Sequence, residues 1–182
     1  KERIWHYVKR NAPQLLDDPS FPELVKKLHR TKTAHYVRIV EQGGLPLRPG
    51  IARLIDEARR AGIRLAIATT TSPENVDALL RASLGLESPS WFEVIGAGDM
   101  VPAKKPAPDI YQWVIERLGL PASACLAIED SKNGLKSTLT AGLPCLITRG
   151  EYTREQDFTG ACCALDDLGE TSLDVLLEAG LQ

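Results

Sequence analysis

The chain has 182 residues, 43% of them hydrophobic and 25% charged, with a formal net charge of −2. That length accommodates one core domain with a small appendage, and the composition is ordinary for a globular protein. The nearly balanced charge excludes broad electrostatic binding to nucleic acid or to an anionic membrane, and no apolar run is long enough to span a bilayer.

At the start, Lys1-Glu2-Arg3 runs into an amphipathic segment with no secretory signal, and the absence of an initial methionine predicts a true start further upstream. Ile4, Trp5 and Val8 fall at helical spacing until Pro13 and then Asp17-Asp18-Pro19 break the pattern. A second helix is predicted over 22–42, where Leu24, Val25, Leu28, Tyr36, Ile39 and Val40 recur near the helical period and Gly43-Gly44 ends it. Neither segment carries a strand signal, so residues 1–45 are expected to form a small helical unit. From Leu47 the texture changes to short apolar strands (64–68, 92–97, 125–128, 144–148 and, more weakly, 162–165) alternating with helices over 51–61, 108–118, 134–141 and 172–179. A further helix begins at Ser72-Pro73-Glu74, with Ser at the N-cap and Pro in the first turn. Residues 46–182 therefore read as an α/β domain, a parallel sheet covered on both faces whose ligand sits at the carboxyl ends of the strands.

Cys125, Cys145, Cys162 and Cys163 lie in or beside the strand-like stretches, with no paired CxxC spacing that would support zinc. They are expected to be buried thiols of a cytoplasmic protein, or of one in the plastid stroma if the source is a photosynthetic eukaryote.

Three polar groups follow the strands. Thr69-Thr70-Thr71-Ser72 sits after the strand at 64–68, where hydroxyls and backbone N–H groups at a strand-to-helix turn can hold phosphate oxygens; a simple N-cap cluster is the alternative. In Lys104-Lys105-Pro106-Ala107-Pro108-Asp109 the prolines stiffen the backbone, so the lysine before them is held in a defined direction. A fixed ammonium there can neutralise a phosphate and a carboxylate together, whereas a solvated lysine would do nothing. Glu129-Asp130-Ser131 ends the strand at 125–128. Adjacent carboxylates at the end of a buried strand repel one another unless a hard cation such as magnesium joins them, while helix capping by Asp130 or Ser131 explains only one acidic residue.

The order of these groups resembles the haloacid dehalogenase superfamily, in its branch of phosphatases and phosphosugar mutases with a helical cap. The residues that carry the likeness are Ala66-Ile67-Ala68-Thr69, Lys105-Pro106-Ala107-Pro108-Asp109 and Ile128-Glu129-Asp130-Ser131-Lys132-Asn133-Gly134. Leu47-Arg48-Pro49-Gly50 and Gly98-Asp99-Met100-Val101 support it. Ala68-Thr69-Thr70-Thr71, the doubled Lys104-Lys105 and Glu151-Tyr152-Thr153-Arg154 look closest to the CbbY-like sugar-phosphate phosphatases. The resemblance implies a Rossmann-like core over 46–182 with a partial helical cap over 1–45. It also implies a reacting phosphoryl group held by Thr69 and Thr70, Lys105 orienting the nucleophile, and Mg2+ held by Glu129 and Asp130. In the cap, Lys32 and Arg30, with His29 near them, would meet the substrate.

The sequence departs from that family at one point. Family members begin with an Asp-x-Asp-Gly-Thr motif at the end of a central first strand, its first Asp the nucleophile and its second the general acid and base. No Asp-x-Asp occurs in this chain, and Asp17-Asp18 and Asp166-Asp167 stand in the wrong context. The resemblance thus implies a fragment that lacks the central strand and is inactive by itself. Its complete form is expected to be a magnesium-dependent phosphatase of small phosphorylated sugars, of the pentulose bisphosphate kind, working as a monomer through an aspartyl-phosphate. A phosphosugar mutase and a non-catalytic phosphosugar-binding protein are the alternatives.

Overall fold

In a computed structural model of the chain, residues 2–180 are described, with side chains from Ile4 onward. Lys1, at the start of the expected helical unit, and Leu181 and Gln182, at the end of the expected core, lie outside them. The chain divides into two compact units between Leu45 and Pro46.

The first unit contains helix α1 (Glu2–Asn11), a 3-10 turn (Pro13–Asp17) and helix α2 (Phe21–Glu41). Pro13 opens the turn, where its missing N–H removes no helical bond. Val8, Phe21 and Val25 form a small buried cluster with Ile4, Ala12 and Leu16, and Trp5 stands edge-on to Phe21 at 4.6 Å between ring centroids. Only part of the apolar period of α2 is used in this way, because Leu24, Leu28 and Ile39 remain exposed.

The second unit runs α3 (Ile51–Arg60), β1 (Leu65–Ala68), α4 (Pro73–Leu84), β2 (Phe92–Gly96), α5 (Asp109–Leu118), β3 (Ala127–Glu129), α6 (Lys132–Thr140), β4 (Cys145–Thr148), β5 (Cys163–Leu165) and α7 (Leu173–Gly180). All strand pairs are parallel, as the alternation of strands and helices requires. β1 pairs with β2, and β4 lies between β3 and β5. Strand alternation sends Leu146 to one face, against Leu54 of α3 and Leu176 of α7. Ala127, Cys145 and Ile147 go to the other face, against Ile110 and Tyr111 of α5 and Leu135 of α6. β4, covered on both faces and paired on both edges, is buried throughout.

Between β1 and β3 no strand hydrogen bonds run, so each has a neighbour on one side only. Both nevertheless share one core, since Ala68 of β1 packs into the cluster that holds Ala127 of β3 and Tyr111 of α5. Ile128, in the middle of β3, is left 37% exposed.

The predicted elements are present with small shifts. The strand expected over 125–128 begins two residues later, because a 3-10 turn (Ala122–Ala124) leads into Cys125 and Leu126. The expectation of four buried thiols needs correction. All four are free, but only Cys145 is buried, Cys125 and Cys163 are half-buried, and Cys162 is exposed. β5 is the edge strand, so the residue leading into it lacks the cover that β4 enjoys. Burial pushes the Cys145 thiol up to about 11.

The stretch Leu47-Arg48-Pro49-Gly50 is tied to the carboxyl ends of β4 and β5. The Arg48 guanidinium donates to the Thr148 carbonyl at 2.7 Å, the Thr148 hydroxyl at 3.0 Å and the Asp166 carbonyl at 3.0 Å, and also to the Arg149 carbonyl. Gly50 has φ +81°, and a Cβ there would collide with the Leu168 carbonyl, so the position requires glycine on both counts.

Candidate active site

The carboxyl end of β1 leads into the threonine turn. The Thr69 N–H donates to the Gly96 carbonyl at 2.8 Å, and the Thr69 hydroxyl oxygen accepts from the Thr71 N–H at 3.2 Å. The Thr71 hydroxyl accepts in turn from the Asn75 amide at 2.9 Å. Thr69 is half-buried and Thr70 is exposed. Ser72 stands at the N-cap of α4 with extended backbone and Pro73 follows in the first turn, yet its side chain makes no capping bond. Among the described residues, Ser72 Oγ and Asn75 Oδ1 are buried without a hydrogen-bond partner.

The loop after β2 brings in the lysines, which diverge. Lys104 turns to the Gly98 carbonyl and to Asp99, the latter at 2.7 Å. The Lys105–Pro106 peptide is cis, and Asp109 secures the loop by accepting from the Ala103 N–H at 3.3 Å. Lys105 Nζ donates to the Ala68 carbonyl at 2.8 Å, to the Tyr111 hydroxyl at 3.2 Å and to Glu129 Oε1. An ammonium has three N–H groups, so these acceptors use them all. The lysine thus links the carboxyl ends of β1 and β3.

Glu129, the last residue of β3, is only 9% exposed. Its Oε1 also accepts from the Tyr111 hydroxyl at 2.5 Å. Burial, and then the neighbouring Glu129 carboxylate, push the Tyr111 phenol well above its ordinary range, so it remains a donor. A Cβ on Gly134 of α6 would fall on the Glu129 carboxylate, which therefore occupies the space that glycine leaves. Ser131, not Asp130, caps α6, its hydroxyl accepting from the Gly134 N–H at 3.1 Å. Asp130 is exposed, and among the described residues its carboxylate has no hydrogen-bond or ion-pair partner.

Of the residues predicted from sequence, Lys105 and Glu129 meet directly, Asp130 adjoins Glu129, and Thr69 follows the Ala68 carbonyl that Lys105 holds. Thr70 faces solvent instead of this network. Lys32 and Arg30 are exposed residues of α2 in the first unit, the Lys32 ammonium lying 5.2 Å from the Tyr36 ring centroid. Tyr111 and Asn75 were not among the sequence candidates, and Gly134 entered only as the last residue of the motif that carries the family likeness, with no role in the site. Tyr111 lies on the apolar face of a helix and reads as core, although its polar tip needs a partner when buried.

Glu129 and Asp130 supply only oxygen donors, the chemistry that a hard cation prefers. Among the described residues no group of three or more His, Cys, Asp or Glu side chains could hold a metal. Two carboxylates, one of them without a protein partner, fit Mg2+, which is commonly held by one or two carboxylates together with water and substrate oxygens.

A sequence profile of the haloacid dehalogenase-like hydrolases matches residues 2–142. The chain belongs to that family. Protein CbbY of Cupriavidus necator is 48% identical over 170 residues, which are 93% of this chain and 67% of that one. The crystal structure of CbbY from Rhodobacter sphaeroides in complex with phosphate matches with a TM-score of 0.80 at 49% identity, covering 84% of this chain and 68% of that chain. A mutant of that CbbY in complex with xylulose-(1,5)bisphosphate matches equally well. The α/β architecture with parallel strands is thus that of the haloacid dehalogenase-like core. No described helix is long and apolar enough to cross a membrane.

Proposed function

We propose that this haloacid dehalogenase-like hydrolase is a magnesium-dependent phosphatase acting on a small phosphorylated sugar of the pentulose bisphosphate class. The observation that carries the reading is the buried cluster of Lys105, Glu129 and Tyr111 at the carboxyl ends of β1 and β3, with the exposed Asp130 carboxylate, unpartnered among the described residues, beside it. Such a cluster holds a positive group rigidly where a phosphoryl group can gain charge, and places two hard oxygen ligands next to it. The CbbY relative bound to xylulose-(1,5)bisphosphate supports the substrate class.

In this reading Glu129 and Asp130 hold Mg2+, which neutralises phosphate charge when bound. Thr69 and Thr70 hold the phosphoryl oxygens at the turn before α4. Lys105, with its N–H groups engaged by Ala68, Tyr111 and Glu129, acts through its charge on both the nucleophile and the phosphoryl oxygens, and the rigid loop keeps it from swinging into solvent. The nucleophile is an aspartate on a further parallel strand seated between β1 and β3, outside these 182 residues. It forms an aspartyl-phosphate that water then hydrolyses. Support for such a strand comes from the two unpaired edges, from the core shared by β1 and β3, and from the partly uncovered Ile128. Residues up to Leu45 serve as part of a cap domain and the rest as the core. Lys32 and Arg30 of the cap are assigned to the part of the sugar distant from the reacting phosphate. The protein acts alone, as a monomer in the cytoplasm or plastid stroma.

The test is turnover of xylulose 1,5-bisphosphate and p-nitrophenyl phosphate by the complete protein against Mg2+ concentration. Asp130→Asn is expected to lose most magnesium-dependent turnover on both substrates, and Glu129→Gln to raise the Mg2+ requirement. Undiminished turnover and Mg2+ affinity in both variants would refute the assignment.

A further inference from the structure

The Lys105–Glu129 pair has a third member that neither charge nor motif brings to notice. Tyr111 lies one helical turn after the prolines of the lysine loop, in the first turns of α5, and is 7% exposed. Its hydroxyl accepts from Lys105 at 3.2 Å and donates to Glu129 Oε1 at 2.5 Å. The Lys105 ammonium also lies 4.6 Å from the centroid of the Tyr111 ring. Oε1 of Glu129 therefore receives two donors. Among the described residues Oε2 has only the Asp130 N–H at 3.3 Å, and it lies against the bare Cα of Gly134.

We propose that Tyr111 is a positioning residue for the cation site: its hydroxyl fixes Oε1 of Glu129 and so keeps Oε2 available to Mg2+. The proposal rests on the assignment of Glu129 to the cation given above. The physical ground is a division of labour on one carboxylate. Without the phenol, Lys105 alone would hold Glu129, and the carboxylate could rotate to offer either oxygen, or both, to the ammonium. Rotation of that kind competes with the cation for the same lone pairs. Loss of the phenol also frees the Lys105 N–H that Tyr111 accepts, so the ammonium could take both carboxylate oxygens while still holding the Ala68 carbonyl. The effect should therefore appear in Mg2+ affinity itself.

The experiment uses the complete protein and Mg2+ alone as the probe, with binding followed by isothermal titration and the fold checked by circular dichroism. Tyr111→Phe removes one oxygen and keeps the ring against Lys105. Its Mg2+ dissociation constant should rise about tenfold, the size expected for one lost hydrogen bond to a charged group. The half-saturating Mg2+ for turnover should rise in parallel. Tyr111→His, which restores a ring N–H donor, should recover part of the affinity. An unchanged Mg2+ dissociation constant in Tyr111→Phe overturns the proposal, as does a fall in kcat with unaltered affinity or a variant that no longer folds. Glu129→Gln, titrated alongside, separates the two claims. If it loses Mg2+ affinity and Tyr111→Phe does not, only the role of Tyr111 falls; if neither variant loses affinity, the cation assignment of Glu129 falls with it.

Discussion

The two banks of the site, one built on β3 and α6 and the other on β1 and α4, use their polar groups very differently. On the first, a buried carboxylate is matched by an ammonium and a phenol, and the ammonium has no N–H left over. On the second, Ser72 Oγ and Asn75 Oδ1 are buried without partners among the described residues, and Thr70 is exposed. A buried charge is too costly to leave unmatched, so the protein settles it internally. A buried neutral oxygen costs less, roughly 1–3 kcal/mol, and can wait for a ligand or water to supply the bond. The contrast implies a bank fixed before substrate arrives and a bank whose bonding is completed by what binds.

The strongest way to break that contrast is to remove the ammonium. Lys105→Ala should lower turnover of every phosphate ester by about a hundredfold or more, because a charge interaction that strengthens in the transition state is lost. It should also destabilise the complete protein by roughly 3–5 kcal/mol, the penalty for leaving one member of a buried pair alone. Lys104→Ala provides the control, since its partner Asp99 is exposed and the pair is worth little. Denaturant unfolding of the two variants reads the difference, and equal stability losses would show that the first bank is no more tightly built than the surface.

Gly134→Ala probes the same bank by crowding it. Helix propensity alone favours alanine over glycine by about 1 kcal/mol inside a helix such as α6. Here the added Cβ would meet the Glu129 carboxylate, whose position is set by Lys105 and Tyr111 and cannot yield freely. Overpacking of this kind typically costs about 1–3 kcal/mol. The collision should therefore outweigh the propensity, giving a lower melting temperature and a higher Mg2+ requirement. A rise in melting temperature would mean that the carboxylate moves aside without penalty.

How far these features can be read in the sequence depends on whether they are local. The alternation of strands and helices after Leu47 is a local pattern, and so the α/β class and nearly every element of the second unit are legible. Lys105 and Glu129 are legible too, because each follows a strand and parallel sheets gather strand ends at one edge. Tyr111 is not, since its partner lies 18 positions away and only packing brings them together. Gly134 reads as a weak helix residue until the carboxylate beside it is seen. Ser72 has the sequence and backbone of an N-cap but makes no capping bond, so the pattern gives its place and not its partner. The exposure of Cys162 is equally non-local, set by β5 being the last strand of its sheet.

The smallest expected effect, and the one that sharpens the contrast most, comes from Asn75→Leu on the second bank. Asn75 is 2% exposed and donates to the Thr71 hydroxyl, while its Oδ1 has no partner among the described residues. Replacing it by leucine deletes one hydrogen bond, worth about 1 kcal/mol net, and also removes the buried oxygen that was unsatisfied, worth a comparable amount with the opposite sign. Position 75 is 2% exposed, so the leucine side chain stays buried and burial adds a little in its favour. Stability should then change by less than about 1 kcal/mol, in contrast to the loss from Gly134→Ala. Binding should respond differently. Asn75 steadies Thr71, whose N–H steadies the Thr69 hydroxyl, so without it the turn should hold inorganic phosphate roughly three- to tenfold more weakly, as expected for one lost hydrogen bond. Thermal unfolding and phosphate titration of the same variant measure the two quantities separately. A stability loss as large as that of Gly134→Ala would mean that the β1 bank, like the β3 bank, is fixed by its own bonds, and the contrast between them would disappear.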